Sequence, residues 1–122
     1  MSAVYLVAVL YMAAIYWASA QSGERVGRLL WFPGSDLLLH GLAYAGLSMV
    51  WYAALRRSGL RPGAAAVAAY SIAVLYGVVD EYHQSFVPGR DASWLDLVAD
   101  SAGALVGIAT LRLGALARRL RL

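Results

Sequence analysis

The sequence predicts an all-α fold: an integral membrane bundle of four transmembrane helices in a single domain over residues 1–122, with both termini in the cytoplasm. Three observations carry this expectation. The chain is 61% hydrophobic and only 14% charged, with a mean hydropathy of +0.63. It holds four apolar runs, each close to the length that crosses a bilayer, roughly 20 residues. Its ten basic residues are all arginines, and they fall unequally on the two sides that four spans would define. A soluble domain this small must cover a large surface with polar groups, and ten basic plus seven acidic residues are few for that task.

The first run, residues 3–20, has no charge in eighteen positions. Small residues at Ala18, Ser19 and Ala20 before Gln21 resemble a signal-peptidase site. No basic region precedes them, however, and the apolar stretch is long for a signal peptide, so it reads as a retained span. The second run, 37–55, is interrupted only by His40. The third, 63–79, ends at Asp80-Glu81, and its helix is expected to continue to about residue 85. The fourth, 94–111, carries Asp96 and Asp100 in its first two turns. Trp17, Trp31, Phe32 and Trp94 lie towards one interface, and Trp51 and Tyr52 towards the other, as aromatic belts do. No linker, low-complexity stretch or internal repeat divides the chain.

Arginine sets the expected orientation. Arg56, Arg57 and Arg61 lie between the second and third runs, and Arg112, Arg118, Arg119 and Arg121 follow the fourth. Four spans put these seven on one side, against Arg25, Arg28 and Arg90 on the other. The positive-inside rule makes the seven-arginine side cytoplasmic and turns the segments 21–35 and 86–93 outward. A net charge of +3 can suggest nucleic acid, but arginines gathered at helix ends argue against that partner. There is no cysteine, so neither disulfides nor thiolate chemistry arise.

On this frame the polar residues separate. Asp36, His40, Asp80, Glu81, His83, Gln84, Arg90, Asp91, Asp96 and Asp100 all fall in the outer half, and the inner half contains no acidic residue. Asp36, His40 and Tyr44 recur every four residues and form one stripe on the second helix. Asp80 and Gln84 share a face of the third, with Glu81 beside Asp80. Asp96 and Asp100 share a face of the fourth, continued by Gly103. Each four-residue step descends about 6 Å, which puts His40 and Asp100 at similar depth. Carboxylates inside hydrocarbon are tolerated when they point inward, pair, or line a wet cavity. Three stripes converging on an outward-opening pocket are therefore expected. Gly103 and Gly107 have the GxxxG spacing that lets helices approach closely.

The stretch Asp80-Glu81-Tyr82-His83-Gln84-Ser85-Phe86-Val87-Pro88-Gly89-Arg90, continued by Ser93, Asp96, Asp100 and Gly103, resembles the VanZ-like family. There an acidic pair is followed three residues later by glutamine, then Pro-Gly-Arg, then an aspartate opening the last helix. Asp36-x3-His40-x3-Tyr44 is similar to the family's other block. The two blocks span residues 35–107 in the family's order. Leu37 stands where the family commonly has lysine, and Asp100 where it often has asparagine. The resemblance implies a multi-pass protein of the bacterial cytoplasmic membrane, acting in the cell envelope. The family's founding member is associated with reduced susceptibility to the glycopeptide teicoplanin.

Several readings follow for the polar cluster. Asp91 and His83 read as water-facing residues of helix ends, and Tyr44 as a packing residue. The remainder reads as a shared site, because His40 and Asp100 lie within hydrocarbon and capping does not account for Glu81 beside Asp80. In an enzyme acting on a lipid-linked or cell-envelope substrate, Asp36, His40, Asp80, Glu81 and Asp96 supply acid/base function. Tyr44, Gln84, Arg90, Ser93 and Asp100 then bind substrate, with Arg90 gripping a phosphate. A related version places a divalent metal among Asp36, His40, Asp80, Glu81 and Asp96. The alternative is a non-catalytic module that binds a lipid headgroup or partner, its cluster a structural clasp. A transporter lacks a path through the acid-free inner half unless an oligomer supplies one.

Overall fold

The computed structural model describes residues 3–22 and 35–121. Among the described residues the chain is all-helical, with four helices: α1 (Ala3–Ser19), α2 (Ser35–Arg57), α3 (Pro62–Gln84) and α4 (Trp94–Leu120). Three of them, α2, α3 and α4, are long and apolar enough to cross a membrane. The shorter α1 is also apolar, and its 17 residues span about 26 Å. Glu24, Arg25, Arg28, Trp31 and Phe32 lie outside the described residues.

Local chemistry sets the helix ends. Gly59 takes a left-handed φ of 99° after α2, and the Leu60 N–H returns to the Leu55 carbonyl at 3.2 Å. This is a glycine-terminated stop of the Schellman type. Pro62 then opens α3 at its first position, where a missing N–H costs nothing. Ser93 caps α4, its hydroxyl accepting from the Leu95 N–H at 3.1 Å. The fourth helix runs nine residues past the apolar stretch seen in sequence, through Arg112, Arg118 and Arg119 to Leu120. Leu, Ala and Arg are strong helix formers, so loss of hydropathy there does not end the helix.

Buried positions recur along each helix as a single stripe. On α3 these are Ala65, Ala69, Ala73 and Gly77, followed by Asp80 and Gln84. On α4, Asp96 and Asp100 precede Gly103, Ala104, Gly107 and Ile108. Each stripe is thus polar at one end and small at the other. The closest packing is between α2 and α4, which run parallel. A methyl group on Gly103 would run into the Gly41 backbone, and one on Gly107 would meet Ala45 and lie 2.7 Å from Ser48 Oγ. The expected close approach of α4 is therefore present, and its partner is α2. Ser48 Oγ crosses this seam to donate to the Ala104 carbonyl at 2.8 Å. Helix α1 rests on α2 and α3 through two tyrosines. Tyr11 donates to the Ala43 carbonyl and Tyr76 to the Met12 carbonyl, each at 2.6 Å.

Away from these stripes Leu38, Leu42, Val67, Leu75, Leu105 and Val106 are exposed, a surface suited to lipid. Trp17 and Trp94 are also exposed. Tyr52 departs from the belt expected at the other interface. It is buried, packed with Ala65, Ala69 and Ile108, because the small residues of α3 leave room for its ring.

Candidate functional site

The polar ends of the three stripes meet in one layer. Tyr44, Asp80, Gln84, Asp96 and Asp100 are all buried, Asp100 completely. His40 Nδ1 and Asp100 Oδ1 are joined at 2.8 Å, the histidine side chain being 13% exposed. The equal depth expected from the four-residue spacing is thus realised as a direct contact between α2 and α4. One turn below His40, the Tyr44 hydroxyl donates to Asp80 Oδ2 at 3.3 Å and links α2 to α3. Glu81, half-buried, accepts from the Ser93 N–H through Oε2 at 2.9 Å, tying α3 to the start of α4. Gly77 gives Asp100 its space: a methyl group there would lie 3.0 Å from Asp100 Oδ2.

The layer is incompletely satisfied. Asp100 Oδ2 and Glu81 Oε1 are buried without a hydrogen-bond partner. His40, Glu81 and Asp100 each offer one ligating atom, and the three atoms lie within 4.8 Å of one another. Among the described residues this is the group that could hold a metal ion.

The chain matches the VanZ/LLP1 family over residues 3–115. It belongs to the VanZ/LLP1 family. No curated protein and no solved structure matches it. The VanZ-like resemblance drawn from Asp36-x3-His40-x3-Tyr44 and the Asp80–Arg90 stretch is thereby established across nearly the whole chain.

Within this VanZ/LLP1 chain the ten site residues expected from sequence fall into three groups. His40, Asp100 and Glu81 form the cluster with unpaired oxygens. Tyr44, Asp80, Gln84 and Asp96 are buried around it, and Asp96 interacts with Glu81, Asp36, His40 and Arg90. Asp36, Arg90 and Ser93 are peripheral. Asp36 is exposed. Ser93 serves as helix cap and as backbone donor to Glu81. Its cap role is legible in Ser93-Trp94-Leu95-Asp96, the Ser-x-x-acid pattern of a helix start. Arg90 closes the turn 87–90, in which its N–H donates to the Val87 carbonyl at 3.2 Å and Gly89 has φ 75°. Its Nη1 donates to the Gln21 carbonyl at 3.1 Å, so the Pro-Gly turn directs it towards the end of α1.

The potential metal group differs from the set expected from sequence. It includes His40 and Glu81 but takes Asp100 in place of Asp36, Asp80 and Asp96. One imidazole with two carboxylates suits several divalent ions. His83 stands apart, its ring stacked on Tyr16 with centroids 4.4 Å apart.

The His40–Asp100 contact has a definite chemical consequence. With Nδ1–H donating to the carboxylate, Nε2 is the accepting nitrogen of the ring. A buried carboxylate fixing the tautomer and angle of a histidine is the usual arrangement behind a general base.

Proposed function

We propose that this VanZ/LLP1 chain is a multi-pass protein of the bacterial cytoplasmic membrane whose polar layer binds a lipid-linked or cell-envelope substrate from the outer face. His40, oriented by Asp100, and Glu81 carry protons for that substrate. Asp36 and Asp96 flank the approach. Asp80 and Tyr44 hold α2 and α3 around it, and Arg90 presents its remaining guanidinium N–H groups to a phosphate. The seven-to-three distribution of arginines supports an orientation with both termini in the cytoplasm. Helix α1, with 17 residues, is at the short end of lengths that span a bilayer and serves as the fourth span.

The observation that carries this reading is the pair of buried, unpartnered carboxylate oxygens beside His40. A layer built only to hold helices together would leave no such atoms, because each costs about 1–3 kcal/mol or more for a charged group. Glu81→Gln tests it, by way of the founding member's link to teicoplanin. In cells expressing the chain, reduced teicoplanin susceptibility should disappear in Glu81→Gln while the purified variant melts as the parent does. A variant that keeps the full phenotype would sink the proton-carrying role.

A second reading has its own support. The Tyr44–Asp80 and Ser93–Glu81 bonds each join two helices, as a clasp in a non-catalytic headgroup-binding or partner-binding module would. That reading expects Asp80→Asn to lower thermal stability with no separable loss of function.

A further inference from the structure

The end of the bundle remote from the polar layer carries a second feature, independent of the function proposed above. Here α2 ends at Arg57 and α3 begins at Pro62, while α4 continues to Leu120. The last point of α4 in the buried core is Ile108. Beyond it α4 continues for twelve residues, about 18 Å of helix. Between this segment and the end of α2, where Tyr52, Arg56 and then Pro62 lie, is a groove of about 580 Å³.

Four arginines, Arg56, Arg112, Arg118 and Arg119, line the groove together with apolar residues that include Leu111 and Leu116. The chain has no acidic residue between Asp36 and Asp80 and none after Asp100. These guanidinium groups consequently have no carboxylate side chain among the described residues at this end. Arg56 is held in place by donating through Nη1 to the Leu60 carbonyl at 2.7 Å. Guanidinium groups grip a phosphate diester in a bidentate fork. The leucine floor offers an acyl chain a surface continuous with the lipid-facing side of α4, where Leu105, Leu113 and Leu116 are exposed.

We propose that this groove binds one anionic phospholipid of the adjoining leaflet, its phosphate among the arginines and an acyl chain along α4. Charge complementarity selects the class. A zwitterionic lipid would bring its own cation against four uncompensated guanidinium groups, whereas an anionic lipid brings none. Basic pockets between transmembrane helices take such headgroups for this reason.

Native mass spectrometry of the purified full chain, offered equal amounts of phosphatidylglycerol and phosphatidylcholine in detergent, tests the assignment. The parent should retain about tenfold more phosphatidylglycerol, the selectivity that one or two arginine contacts at a membrane surface provide. Arg112→Gln/Arg119→Gln should bring the two lipids near parity. Arg57→Gln/Arg61→Gln removes the same charge from the same end but outside the groove, and should keep the preference. If the first pair does not fold, Arg112→Lys/Arg119→Lys decides: it keeps the charge, loses the fork, and should lower the preference several-fold. Equal retention of both lipids by the parent overturns the proposal. So does equal loss in the two glutamine pairs, which would mean diffuse attraction. An undiminished preference in the groove variants, or displacement of the lipid by millimolar inorganic phosphate, is equally fatal.

Discussion

The two ends of α2, α3 and α4 are held together by different means. Towards the arginine-bearing end, Ala65, Ala69 and Ala73 are completely buried, Gly107 lies against Ala45, and Ser48 closes the seam onto the Ala104 carbonyl. At the acidic end the same stripes carry Asp80, Gln84, Asp96 and Asp100, and polar bonds take over from small-residue contact. The atoms left over differ too. Among the described residues the small-residue end leaves the neutral donor Trp51 Nε1 unpaired, while the acidic end leaves His83 Nδ1 and two carboxylate oxygens. Without water to solvate them, unpaired carboxylate oxygens are much the costlier. One end is thus finished as packing, and the other keeps capacity for something more than its own side chains.

The comparison breaks most visibly at the α2–α4 seam. Gly103→Val places a branched side chain where the Gly41 backbone already sits, and no rotamer relieves a backbone contact. The expected cost is on the order of 3 kcal/mol, seen as loss of the folded species in detergent. If Gly103→Val melts like the parent, close approach is not what holds this half.

Within the polar layer, Tyr44→Phe removes the donor to Asp80 Oδ2 and leaves a buried carboxylate oxygen short of a partner. The loss should be about 2 kcal/mol in thermal or denaturant unfolding. That is less than at the seam because the ring still fills its place among Ile15, Leu47 and Ala73. An effect larger than that of Gly103→Val would invert the comparison and make the polar layer the main clasp. Smaller again is Ser93→Ala, which deletes the cap hydroxyl but keeps the N–H that Glu81 accepts from. Its cost should be about 1 kcal/mol, with the reduced teicoplanin susceptibility proposed above intact. Loss of that phenotype would mean that the Ser93 hydroxyl touches substrate.

Much of this contrast was legible in the sequence, for a simple reason. In a helix, four-residue spacing fixes both face and depth, so Asp36, His40 and Tyr44 had to share a stripe and His40 had to lie level with Asp100. What the spacing could not carry was the rotation of one helix against another. That rotation paired Asp100 with His40, drew Asp80 to Tyr44, and put Asp100 where the expected metal set had Asp36, Asp80 and Asp96. Tyr52 escaped for a related reason: its exposure depends on alanines of α3 that make room for it, and those are distant in sequence. The length of α4 escaped because hydropathy, which marks lipid, falls at Arg112, while helical propensity does not. The direction taken by Arg90 depended on Gln21, at the end of another helix.

His83 provides the finest test, because it is polar, lies at the acidic end and has a buried, unpaired Nδ1, yet makes its contact with Tyr16 rather than with the carboxylates. If unpaired polarity alone marked function, His83 would be as sensitive as Glu81. Its ring instead stacks nearly parallel on Tyr16, at an interplanar angle of 22°, and phenylalanine can keep that stack while dispensing with the orphaned nitrogen. His83→Phe should therefore change stability by no more than about 0.5 kcal/mol in either direction. It should also leave the proposed reduction in teicoplanin susceptibility unchanged in the same cells in which Glu81→Gln is expected to abolish it. Loss of the phenotype in a normally folded His83→Phe protein would extend the site around the last turn of α3 to the face that meets Tyr16 of α1. The functional boundary would then lie at α1 rather than at the His40–Asp100–Glu81 cluster.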